Sequence, residues 1–144
     1  MQRWYHLVKS DVSRVIYIEE KDKEDYDRIA ETKPFKNLGL KEIFILALAL
    51  GYKKGVRLPL KHKKDIIREE YLSDEDRSII NAIAIAETGN FEILEDKKEV
   101  YKIVEEYANT GFTILKKKAT NVDGSYMKEL EADLRSELKR SKDL

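Results

Sequence analysis

Cysteine is absent from this chain, which excludes disulfides, thiol nucleophiles and thiolate metal sites. Histidine occurs only as His6 and His62, so a metal centre would need mostly carboxylate ligands. Neither a metal site nor a cofactor is expected, and no residues stand out as catalytic. Net charge is missing as well: 28 Lys and Arg balance 28 Asp and Glu, leaving no global field to recruit nucleic acid or an anionic membrane. Any electrostatic function must be local. The longest apolar run, Ile43 to Leu50, is too short to cross a bilayer. The opening MQRWYHLVK lacks the apolar centre and small-residue cleavage site of a signal peptide, so a cytoplasmic protein without a membrane partner is expected. Gln occurs once and Met twice beside abundant Lys and Glu, a balance that points to a thermophile, since thermolabile types are depleted.

What remains is enough for a domain. A chain of 144 residues fits one domain and hides about 68–70% of its unfolded surface. The apolar pattern predicts a compact, mainly α domain over residues 1–118, with about five to seven helices around a buried central helix. Residues 119–144 read as a linker followed by a C-terminal helix.

Taken in order, Arg14–Glu19 is rich in β-branched and aromatic residues and suits a short N-terminal strand, although Trp4, Val8, Val12, Val15 and Ile16 also fit helical spacing. A short helix is expected over Lys23–Glu31, closed by Pro34. The central helix is placed at Leu40–Leu50, with Asn37 as a possible cap and Gly51 as the left-handed residue that ends it. A further helix is expected from about Lys63, with Ile66, Ile67 and Tyr71 inward. Ser73 with Asp76 three residues on marks an N-cap, and the helix it opens runs through Ile79–Ala86 to Gly89. Its alanines suggest a close approach to Ala47 and Ala49. Asp96 and Glu99 form a second cap ahead of Val100, Ile103, Val104, Tyr107 and Ala108, the cleanest amphipathic spacing in the chain. Gly111 is read as its end, and Phe112–Leu115 as a short apolar return. Beyond the linker, Leu130, Leu134 and Leu138 form a thin stripe that packs loosely on the domain or joins a second copy as a homo-oligomer.

Three blocks carry a family resemblance: Phe35 with LGLKEIFILALALGYKKGVR (Leu38–Arg57), INAIAIAETGNFEIL (Ile80–Leu94) and EEYANTGFTIL (Glu105–Leu115). Their order and spacing resemble a family of small proteins found with DNA phosphorothioation, or DNA sulfur modification, systems. The resemblance covers Arg14 to about Leu115. It implies a setting of DNA modification and defence, with DNA or a protein of such a system as partner. It brings no catalytic residues.

The foremost candidate site is a basic loop. Lys53, Lys54, Arg57, Lys61, Lys63 and Lys64 fall within twelve positions that hold no acid, and Tyr52 beside them can stack on a base or sugar. The competing reading is a solvated loop offset by the acidic Glu19–Asp27 stretch. A second candidate is Glu106–Gly111, where Asn109 and Thr110 would present polar groups at a helix end unless the segment simply packs. A metal-dependent nuclease is the enzymatic alternative, resting on Glu95 and Lys97 after the apolar Ile93-Leu94. A purely structural interaction module is the third reading.

Overall fold

The computed structural model describes residues 14–33, 35–119, 132, 135, 136 and 139. Within residues 14–119, two strands and four α-helices follow one another: β1 (Val15–Glu19), α1 (Lys23–Ala30), α2 (Leu40–Lys54), β2 (Lys63–Arg68), α3 (Asp74–Thr88) and α4 (Lys97–Ala119). Short 3-10 turns fill Glu20–Asp22, Glu69–Tyr71 and Phe91–Glu95. The protein is mainly α, as its periodicity predicts, and α2 against α4 is the central packing.

The stripe on α2 explains that position. Ile43, Phe44, Ala47, Leu48 and Gly51 are buried, a spacing that places all five on one helical face. On α4 the stripe runs Val100, Ile103, Val104, Tyr107, Ala108, Gly111, Phe112 and Leu115 without a break. The two glycines meet where the helices cross. A Cβ on Gly51 would lie 1.7 Å from the Tyr107 carbonyl oxygen, and one on Gly111 would lie 1.6 Å from that of Ala47. Both glycines therefore serve backbone contact and neither ends a helix. The helix ends expected at Leu50 and Gly111 are thus corrected to Lys54 and Ala119. The left-handed residue after α2 is Gly55, at φ 76°, whose N–H donates to the Gly51 and Tyr52 carbonyls. Phe112–Leu115 continues α4, and Phe112 stacks on Tyr26 of α1 with centroids 3.9 Å apart.

The strand expected near the N-terminus is present, but the helix expected from Lys63 is its antiparallel partner. Ile16 faces Ile67, Ile18 faces Lys64 and Glu19 faces Lys63, with an irregularity between Ile16 and Tyr17. Ile16, Ile18 and Ile67 enter the core, so a short β-branched run gains more from cross-strand pairing and burial than from a solitary helical turn. At the start of α2, Gly39 rather than Asn37 occupies the cap position, and its N–H donates to Glu42 at 3.0 Å.

The caps read at Ser73 and Asp96 are both formed. The Asp76 N–H donates to Ser73 Oγ at 3.1 Å, while the Ser73 N–H donates to the Asp76 carboxylate at 2.9 Å. The Glu99 N–H donates to Asp96 at 3.2 Å. Helix α3 ends at Gly89, φ 69°. It packs mainly on α4, and of its alanines Ala84 is buried whereas Ala82 and Ala86 are exposed, so the close approach to α2 expected from the alanines is not its main packing. The leucine stripe at 130, 134 and 138, with most of the linker and C-terminal helix, lies outside the described residues, as does the segment before Arg14. No described helix is long and apolar enough to cross a membrane.

Candidate nucleic-acid interface

The basic stretch is divided among three structural settings. Tyr52, Lys53 and Lys54 occupy the last turn of α2, where the lysines complement the negative end of the helix dipole. All three are exposed, and Tyr52 meets Tyr107 edge-on with centroids 5.4 Å apart. Lys61, Lys63 and Lys64 are exposed where the chain enters β2. Lys63 extends over the Tyr17 ring, 5.6 Å from its centroid, and Lys64 pairs in the ladder with Ile18. Among the described residues, no carboxylate lies within ion-pair distance of Lys53, Lys54, Lys61, Lys63 or Lys64.

Arg57 differs from its neighbours. Its guanidinium pairs with Glu106 at 3.0 Å and with Glu87 at 3.1 Å, and it lies 6.0 Å from the Tyr107 ring centroid. The Tyr107 hydroxyl donates to Glu87 as well. That hydrogen bond holds Glu87 below the usual carboxylate range against burial, with Arg57 assisting. Tyr107 is pushed up to about 12, first by burial and then by Glu87. Arg57 therefore anchors the segment through two carboxylates, unlike the lysines beside it.

The Glu106–Gly111 block supplies the rest of the anchor. The Glu106 carbonyl accepts the Leu58 N–H at 3.2 Å, Asn109 Nδ2 donates to the Leu58 carbonyl at 3.0 Å, and Thr110 Oγ1 donates to the Val56 carbonyl at 2.7 Å. Asn109 and Thr110 lie inside α4, not at a helix end, and their polar groups serve the irregular 55–60 segment. A segment with no ladder or helix must satisfy its backbone elsewhere, and here α4 provides the partners. At the far end, Glu19 accepts the N–H groups of Lys61 and His62, each at 2.9 Å. Burial opposes its charge, but those two donors outweigh it and hold Glu19 below the ordinary carboxylate value.

Around the nuclease alternative, Asp96 and Lys97 have structural partners. Ile93–Glu95 belongs to a 3-10 turn instead of a strand, Asp96 caps α4, and Lys97 pairs with Glu69 at 3.1 Å. Among the described residues, no group of three or more His, Asp or Glu side chains is placed to hold a metal ion.

Glu87 in the anchor and Glu105 beside it escaped the sequence reading, and Glu106 and Tyr107 fell within the second candidate without their tie to Arg57 being foreseen. Glu105 is 5% exposed and accepts the Tyr17 N–H at 2.9 Å. Burial pushes it up to about 7, with Glu106 adding to the rise, while the Tyr17 N–H and Lys63 pull the other way. One signal pointed to it: Glu105-Glu106 interrupts a stretch whose flanking residues, Val104 and Tyr107, lie on the apolar stripe.

No curated protein and no solved structure matches the chain. A family match does extend over nearly all of it. That match spans residues 20–143, taking in α1, α2, the clamped basic segment and α4, and the chain belongs to the family described as DNA sulphur modification system-associated protein 4.

Proposed function

We propose that this protein is a non-catalytic accessory component of a DNA sulphur modification system and that it contacts DNA phosphates. Lys53, Lys54, Lys61 and Lys64 make the contact, with Lys63 and Tyr52 at its margins. One observation carries this reading: exposed lysines without carboxylate partners stand at both ends of a segment that Glu106, Asn109 and Thr110 clamp to α4. A clamped segment loses little further backbone entropy when it binds, so more of the phosphate attraction appears as affinity. Family membership supplies the DNA setting and leaves the contact itself to be measured. Binding of this kind is sequence-independent and steeply salt-dependent.

Duplex affinity measured across a salt series tests the reading. Replacing Lys53→Glu together with Lys54→Glu should weaken binding and lower the salt slope by about two units, with only a small fall in melting temperature from the lost complement to the α2 dipole. An unchanged affinity and slope would sink the DNA contact at this site. A contact with a protein of the same system is the second reading, favoured by Tyr52, Val56 and Leu58, which are 41%, 44% and 40% exposed along the same segment. There the charge reversals leave DNA affinity unmoved, so one titration separates the two.

A further inference from the structure

Between the two-stranded sheet and the first turns of α4 lies a cleft of about 650 Å³. Its charges are unequally occupied. Lys63, Lys98 and Lys102 line it, and none has a carboxylate within ion-pair distance among the described residues. Arg14 closes one end, and its buried Nε is the one buried side-chain polar atom among the described residues with no hydrogen-bond partner. Such a donor costs free energy unless something accepts from it. Three acids line the cleft as well, Asp96, Glu99 and Glu105, and two of them are engaged within the fold. Asp96 accepts the Glu99 N–H at the start of α4, and Glu105 is buried and bonded to the Tyr17 N–H.

Glu105 is faced by Tyr17 and Glu19 from β1, Arg14 just before that strand, Lys63 from β2, Asp22 from the turn before α1, and Lys102 and Glu106 on its own helix. Burial keeps it partly protonated at neutral pH, which spares an incoming anion much of its repulsion. The space also exceeds what an inorganic oxyanion fills and matches pockets for organic ligands, which span about 300–1,000 Å³. The Tyr17 and Tyr101 side chains supply aromatic walls.

We propose that this cleft binds a nucleotide unit, with its phosphate held by Arg14, Lys63, Lys98 and Lys102 and its ring system against Tyr17 and Tyr101. The unit is a free mononucleotide or the 5′-phosphorylated end of a strand, which present the same chemistry. The site is separate from the contact through Lys53 and Lys54, sharing only Lys63 with the basic stretch, so either reading can fail alone.

Calorimetric titration of the full chain tests it, using deoxyadenosine monophosphate, inorganic phosphate, and single-stranded oligonucleotides with and without a 5′ phosphate. Saturable binding is expected for the mononucleotide, for the phosphorylated strand, or for both, and which of them binds identifies the source. The exposed pair Lys98→Glu with Lys102→Glu should weaken that binding by about tenfold, whereas Lys53→Glu with Lys54→Glu should leave mononucleotide binding alone. Melting temperatures close to that of the parent establish that both variants fold. The proposal is overturned if neither nucleotide probe binds, if the Lys98 and Lys102 reversal has no effect, or if inorganic phosphate binds as tightly as the mononucleotide.

Discussion

Helix α4 meets α2 and the two-stranded sheet in different ways. Towards α2 it comes so close that Gly51 and Gly111 leave no space for a Cβ, and the surrounding side chains are apolar and buried. Towards the sheet it stands back, leaves a cleft of about 650 Å³, and buries a carboxylate with a single backbone hydrogen bond. The first contact is dense and holds the fold together. The second tolerates polar groups and open volume, as sites that act on other molecules do. The division follows from helical spacing: positions 107 and 111 meet α2, while 98, 102 and 105 line the cleft beside the sheet.

The largest effect is expected from breaking the dense side. Gly111→Val places carbon where the Ala47 carbonyl oxygen already sits, and backbone cannot yield as a flexible side chain can. A loss of more than about 4 kcal/mol is expected, enough to remove the cooperative urea transition. Gly55→Ala is the contrast: nothing lies within 4 Å of its added Cβ, so only the left-handed φ of 76° is penalised. That costs about 1 kcal/mol. If the two variants melt alike, the close crossing is not what stabilises the α2–α4 pair.

The open side responds to pH. Burial raises Glu105 to about 7 from an ordinary 4.5, so between those values the native state keeps a proton that the unfolded chain has released. Stability attributable to this group is present below pH 4.5 and is lost as pH rises through 7. The gap amounts to about 3 kcal/mol. Glu105→Gln keeps an acceptor for the Tyr17 N–H without the titration, so it should melt higher than the parent at pH 8 and match it near pH 5. Parallel pH profiles for the two proteins would show that the carboxylate is solvated. The smallest change is expected at the clamp. Thr110→Val removes the hydroxyl that reaches the Val56 carbonyl, costing about 1 kcal/mol and speeding amide exchange at Leu58 more than in the α2–α4 core.

Local chemistry was legible where it is self-contained. The Ser73–Asp76 and Asp96–Glu99 caps satisfy helix-terminal N–H groups with side chains a few residues away, so both appear in the sequence and in the fold. The amphipathic stripe of α4 was legible too, and following it past Ala108 to Gly111, Phe112 and Leu115 reveals one continuous helix. The basic stretch could be found by its charge, but Arg57 could not be told from Lys53 or Lys54. Its role depends on Glu87 and Glu106, which lie 30 and 49 positions away along the chain.

The sequence by itself determined a mainly helical chain, a buried α2, two capped helices and a family setting in DNA sulphur modification. Tertiary structure alone decided what the glycines mean and where the lysines stand. Gly51, Gly55 and Gly111 all look like stop signals, because glycine both reaches left-handed φ and lacks a Cβ. Only at Gly55 is the first property used; at the other two a neighbouring backbone requires the second. Likewise Lys63–Arg68 becomes a strand because β1 is there to pair with it, which puts Lys63 over Tyr17 at the edge of a cleft formed by residues far apart in the chain.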